Sequence, residues 1–316
     1  MVKKMAENYN VGIDIGGTKV NIGIVKENGE ILDNIIIATN KEKEPEDFIA
    51  DICKKTKELL YKNNLSIKKI YFIGVGVPGT ADINTGMVSY CPNLFWYDLP
   101  IGNMFEKNLQ RNVKVMQDSR NAALAENLFG AGRGFDNILC VAIGTGIGGG
   151  IIINRKIFNG GMNTAGEIGH TPIIKNGRKC VCGNFGCLET YASGTGITDL
   201  ALEKFPEKFI KLEDRRCEYV FELAYAGDSE ILHFIEECVD HLAFGIANAV
   251  SLLSPEAVII SGGLCVHEEL FVKPLQDRIV QKGYYSWTHL NKLKVYKAEL
   301  GSDAPMIGAA LLYKGI

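Results

Sequence analysis

The sequence predicts an α/β protein built as two lobes with a cleft between them, on three observations. An order of apolar strands, amphipathic helix and apolar strand occurs twice along the chain, with no low-complexity linker between the two cycles. Two glycine-rich turns lie where one strand gives way to the next rather than at the start of a helix. A hydrophobic content of 47% with 22% charged residues is that of a globular protein, and 316 residues are enough to bury a large core.

The first cycle opens with strand-like runs at 11–15 and 20–25, and the Asn28-Gly29 turn leads into a third at 31–37, an antiparallel meander. Phe48, Ile49, Ile52, Thr56, Leu59 and Leu60 then recur at helical spacing, and residues 70–77 read as a buried strand. The second cycle runs from a strand at 113–116 through a helix over 121–129 to strands at 138–143 and 148–153. Ile235, Val239, Leu242, Ile246, Val250 and Leu253 trace one face of a long helix that Ser254-Pro255 ends, and a strand at 257–261 breaks at Gly262-Gly263.

Asp14-Ile15-Gly16-Gly17-Thr18-Lys19 lies between two strands, so it is neither a Walker A loop nor a dinucleotide fingerprint, both of which open a helix. Adjacent glycines let bare backbone N–H groups approach a phosphate, with the Thr18 hydroxyl and Lys19 as further donors. Asp14, at the strand end, suits a Mg2+ ion, directly or through water. The alternative for a lone Gly-Gly is a turn chosen for its conformation; the flanking Asp and Thr-Lys favour phosphate. Gly144-Thr145-Gly146-Ile147-Gly148-Gly149 imitates a dinucleotide fingerprint, but a β-branched run at 151–153 follows and supplies no helix N-terminus. It reads as a second phosphate hairpin, with Thr145 and Gly146 as contacts. Gly262-Gly263 is a third close-approach point, where backbone can lie against a purine.

Cys180, Cys182 and Cys187 follow His170 in a glycine-relieved segment that also contains Glu167 and Glu189. Three thiols and an imidazole form a closed, tetrahedral, structural Zn2+ set. A nucleic-acid zinc ribbon is disfavoured, because a second Cys pair and basic context are missing. The two carboxylates suit hydrogen bonds to sugar hydroxyls, or a glycosidase-type acid/base pair; phosphate turns favour the former.

Lys+Arg 34 against Asp+Glu 37 gives no electrostatic case for a nucleic-acid or membrane partner. The N-terminus lacks an apolar signal core and no later run approaches a bilayer span, so a cytoplasmic protein is expected. The odd number of cysteines, nine, with six scattered outside the cluster, suits reduced thiols. Asp118 follows a strand and precedes a helix; locally it fits a helix N-cap and a cleft base equally well.

The three turns in this order resemble those of the actin-like (ribonuclease H-like) ATPase superfamily. The Glu167-x-Gly169-His170 and Cys180-x-Cys182…Cys187-x-Glu189 segment resembles the signature of the ROK family of bacterial sugar kinases and repressors, and the likeness covers essentially the whole chain. The resemblance implies that Asp118 is the catalytic base and that Asn93, Asp118, Glu167, His170 and Glu189 bind the sugar. It implies ATP, with Mg2+, on the two hairpins and Gly262-Gly263. It also implies zinc on His170, Cys180, Cys182 and Cys187, His170 linking metal to sugar. A smaller lobe of 1–118 plus 304–316, closed by the C-terminal helix, and a larger one of 119–303 with the zinc site are expected, in a homodimer.

The activity implied is ATP-dependent phosphorylation of a hexose, glucose first, with N-acetylmannosamine, N-acetylglucosamine or fructose as alternatives. A non-catalytic sugar sensor is the alternative of another class; the repressors carry a DNA-binding domain ahead of the first strand, where only about ten residues stand here. The usual Asn-Asp-x-Asn pattern reads Gln117-Asp118-Ser119-Arg120, which puts the role of Arg120 in question.

Overall fold

The computed structural model describes residues 8–211, 215–284 and 293–316. Residues 1–7, read above as lacking a signal core, lie outside the described residues. Strands β1 (Tyr9–Ile15), β2 (Lys19–Lys26) and β3 (Ile31–Ala38) form the expected meander. Helix α1 (Pro45–Lys62) starts with proline in its first turn, has Glu46 and Asp47 there and Lys62 in its last turn, each complementing the helix dipole. Its buried residues include all six apolar-face positions read from the sequence.

Strand β4 (Ile70–Val77) follows, then the short strands β5 (Thr80–Ala81), β6 (Val88–Cys91) and β7 (Trp96–Leu99), which pair as a small antiparallel sheet. Trp96 is buried against Phe48 with ring centroids 6.4 Å apart, whereas Phe95 and Tyr97 are exposed. The aromatic stretch is thus divided between core and surface. Helix α2 (Ile101–Leu109), strand β8 (Lys114–Gln117) and helix α3 (Asp118–Phe129) complete this part.

The first sheet has the order β3-β2-β1-β4-β8, antiparallel on the meander side and parallel from β1 through β4 to β8. In register, Asp14 stands beside Gly76, and Val77 beside Gln117. The C-terminal ends of three parallel strands therefore bring Asp14, Gly76 and the start of α3 together. Ligands of open α/β sheets bind at such strand ends.

Strands β9 (Ile138–Ile143), β10 (Ile147–Ile153) and β11 (Lys156–Ile157) come next, then helices α4 (Glu189–Ala192), α5 (Gly194–Lys204), α6 (Cys217–Tyr225) and α7 (Ser229–Leu253). Strand β12 (Ala257–Ser261), helix α8 (Lys273–Gln281), strand β13 (Lys294–Lys297) and helix α9 (Ala304–Ala310) end the chain. The second sheet, β11-β10-β9-β12-β13, repeats the plan of the first. Helix α7 is capped by Asp228, which accepts from the N–H groups of Glu230 and Ile231, and it stops at Ser254 in the left-handed region before Pro255. Its expected apolar face is buried from Ile235 to Val250; Leu253, in the last turn, is half-buried.

The compact units are 1–136 with 150–165 and 299–316, and 137–149 with 166–298. This differs from the division expected at 118 and 304. Helix α3 packs against α9, β4 and β8, and Glu126 accepts from the N–H of Leu300 at 2.8 Å and of Glu299 at 3.2 Å. Those contacts assign α3 and the segment from Glu299 to the first unit. No described helix is long and apolar enough to cross a membrane.

Candidate functional site

In the first unit the end of β1 presents Asp14. A Cβ on Gly76 would lie 3.2 Å from Asp14 Oδ1, 3.0 Å from Asn121 Nδ2 and 3.6 Å from the Asp118 Cα, so only glycine leaves room for this corner. Burial pushes the Asp14 carboxyl up to about 8, the Asp118 charge adds to the shift, and Lys19 opposes it. Asp14 Oδ1 is buried without a hydrogen-bond partner, and so are both polar atoms of the Asn121 amide. Two like-charged carboxylates, one with an oxygen that has no hydrogen-bond partner, fit a hard cation such as Mg2+, which would restore the charged form of Asp14.

Asp118 is the first residue of α3, with Gln117 at the cap position. Its Oδ1 accepts the Ser119 N–H at 2.6 Å. The N-cap role that local sequence allowed is therefore not the one observed. Asn121, three residues on and on the same helical face, was absent from the sequence candidates; its spacing from Asp118 is the signal that would have found it.

Arg120 does not face water. It is 1% exposed, and its guanidinium donates to Asn163 O at 2.9 Å and Ala165 O at 3.1 Å. It holds the segment that leads into Glu167, which is a positioning duty the motif position alone did not reveal.

The Gly16–Thr18 turn is closed by Gly16 N–H to Lys19 O at 2.9 Å, with Thr18 and Lys19 exposed. Asn93 is exposed in the short 3-10 turn Pro92–Leu94, and a Cβ on Gly17 would come within 3.8 Å of Asn93 Cβ. Asp14, Gly16, Gly17, Thr18, Lys19, Asn93 and Asp118 thus occupy one face of the first unit.

The second unit carries the other turn. Glu189, first residue of α4, accepts the Ile147 N–H on its Oε2 at 2.8 Å, and a Cβ on Gly146 would stand 2.4 Å from that oxygen. The carboxylate therefore occupies the space that a side chain at Gly146 would take. Beneath it, Gly144 O accepts Gly194 N–H at 2.7 Å and Thr145 O accepts Thr195 N–H at 3.2 Å, so the start of α5 buttresses the turn. Thr145 is exposed above it. Gly262, with φ +98, presses against the end of β9, where a Cβ would meet Ile143 O at 2.3 Å; Gly263 faces open space.

The ligand atoms of His170, Cys180, Cys182 and Cys187 all lie within 4.8 Å of one another. Cys180 Sγ is 3.6 Å from His170 Nδ1, and Cys182 Sγ is 3.7 Å from Cys187 Sγ. A tetrahedral zinc at its usual bond lengths separates donor pairs by roughly 3.5–3.8 Å, a spacing these two pairs have. Glu167 precedes the short 3-10 turn Ile168–His170, and its carbonyl accepts the His170 N–H at 3.1 Å. All nine cysteines are free thiols. Burial pushes Cys53, Cys91 and Cys217 up to about 12, which leaves them unreactive.

The model of the ROK family matches residues 10–316. A glucokinase of Halalkalibacterium halodurans is 34% identical across 98% of this chain and 96% of its own length. A glucokinase of Thermotoga maritima is 32% identical across 96% of each. The crystal structure of a ROK family glucokinase from Streptomyces griseus in complex with glucose and AMPPNP is similar with a TM-score of 0.81 at 30% identity, covering 96% of this chain and 99% of that one.

Proposed function

The chain belongs to the ROK family, and from that premise we propose that it is a glucokinase, in which Asp118 is the general base and the thiol cluster a structural zinc site. It is an ATP-dependent sugar kinase; glucokinases match it over nearly its whole length. The observation that carries the reading of the site is the pairing of Asp118 with a buried Asp14 carboxyl at the ends of parallel strands. That corner supplies one base for a hydroxyl proton and one oxygen ligand for a cation.

A sugar hydroxyl is a poor nucleophile, and Asp118 within hydrogen-bond reach takes its proton as the bond to phosphorus forms. Asn93, Glu167, His170 and Glu189 hold the ring hydroxyls. The Gly16–Lys19 and Gly144–Gly146 turns hold phosphates with backbone N–H groups, and Gly262-Gly263 faces the purine. Mg2+ at Asp14 would neutralise phosphate charge. Orientation of the two reactants supplies much of the remaining acceleration. A zinc on His170 Nδ1 and the three sulfurs would leave the other ring nitrogen for the sugar. A homodimer is carried by the resemblance.

ADP release, measured with glucose, mannose, N-acetylglucosamine, N-acetylmannosamine and fructose, tests the activity. Glucose is expected to give the highest kcat/KM; a preference for another sugar would reassign the substrate, and no turnover with any would favour the sensor reading. Native mass spectrometry is expected to find one zinc equivalent per chain. Cys182→Ser should lose that zinc and lower the melting temperature; full metal content and unchanged stability would refute a closed site.

A further inference from the structure

Strand β3 leaves the first sheet beside the Gly16–Thr18 turn and is clamped to it. Thr39 donates its N–H to Thr18 O at 3.0 Å and its hydroxyl to Gly16 O at 2.7 Å. Two residues on, the Lys41 ammonium lies at the turn, 3.8 Å from where a Cβ on Gly17 would stand, as Asn93 Cβ also does. Lys41 and the Asp118 carboxylate act on the same buried thiol, Cys91, one lowering and the other raising its proton affinity. The cation therefore stands beside Asn93, read as a sugar ligand, and it and the Asp118 carboxylate are both within electrostatic reach of Cys91.

Several lysines of this unit are committed to carboxylates. Lys26, Lys43, Lys55 and Lys62 each engage a carboxylate. Lys41 is exposed and makes no ion pair among the described residues. The Gly16 N–H of this turn is taken by Lys19 O, and the Lys41 ammonium stands beside the glycine that follows it. An ammonium held there donates charge-assisted hydrogen bonds to an anion.

We infer that Lys41 is a further catalytic residue, its ammonium donating to the oxygens of the phosphoryl group during transfer. This rests on the kinase reading above. In the step the acceptor oxygen forms its bond to phosphorus, the bond from phosphorus to the bridging oxygen of ADP breaks with its electron pair going to ADP, and the hydroxyl proton passes to Asp118. Lys41 exchanges no proton; it neutralises charge on the group in flight and holds it in line.

The full-length chain is compared as wild type, Lys41→Met, Lys41→Arg and Lys54→Met, the last an exposed lysine on α1. Lys41→Met is expected to lower turnover with glucose about 20-fold, the scale of one hydrogen bond to a charged group. It should weaken a non-hydrolysable ATP analogue by a similar factor while changing the ADP Kd and the glucose KM less than about twofold. Lys41→Arg should recover most of the loss and Lys54→Met show none. Wild-type turnover in Lys41→Met overturns the inference. So does equal weakening of ADP and the ATP analogue, which would mean that Lys41 only steadies the turn. A wild-type chain that binds the analogue but phosphorylates no sugar would instead overturn the kinase reading, and the inference with it.

Discussion

Asp118→Ala is expected to lower turnover by about 10²-fold to 10⁴-fold, the usual contribution of a positioned base. The fold should survive, because Gln117 rather than Asp118 occupies the cap of α3, although the bond from the Ser119 N–H is lost. Asp118→Asn refines the test. The amide oxygen can still accept the Ser119 N–H that Asp118 accepts at 2.6 Å, so local geometry is kept while the base is removed. It also removes the charge that helps to raise Asp14, so the Asp14 carboxyl should ionise at lower pH in this variant. Turnover near that of the wild type in a folded Asp118→Asn protein would take the base role away from Asp118.

Gly146→Ala is expected to lower kcat/KM by about 10²-fold, the cost of a displacement of roughly 1 Å in a positioned site. The added Cβ would stand 2.4 Å from Glu189 Oε2, closer than real contacts allow, so the carboxylate must leave the Ile147 N–H that it accepts at 2.8 Å. Because Glu189 is read as a sugar ligand and also holds the turn read as a phosphate contact, the Michaelis constants for glucose and ATP should both rise. Glu189→Ala should raise the sugar constant more than the ATP constant. The two changes strike one contact, so the double variant should lose less than the two single losses combined. Strictly additive losses would mean that Glu189 and the turn act separately.

Helices and strands with a sustained period were legible in the sequence, as α1, α7 and β4 show. The three strands β5 to β7 were not, since two to four residues each are too few to display an alternation. The thiol cluster was legible because its ligands lie close along the chain, and a glycine-relieved loop of that length has few ways to arrange them. The carboxylate corner was legible only by its parts. Asp14 and Asp118 were each suspected, but the Asn121 amide and the orphaned Asp14 oxygen emerged from the parallel register of β1, β4 and β8. Lys41 had no local signal at all, because its place depends on two hydrogen bonds from Thr39 to a turn more than twenty residues earlier.

By itself the sequence determined the repeated α/β plan, the strand-to-strand glycine turns, the Cys/His cluster and, through its motifs, the family. These features are written in residue type and short spacing, where backbone conformation and ligand chemistry leave few alternatives. Only the tertiary structure decided what stands beside what. It turned Arg120 inward to two backbone carbonyls, divided the aromatic stretch between core and surface, assigned α3 to the first unit and set Glu189 into the space left by Gly146. The reason is physical. Side chains that are neutral in their local context acquire a partner, a charge or a steric limit only when strand register and helix packing bring distant backbone within a few ångströms.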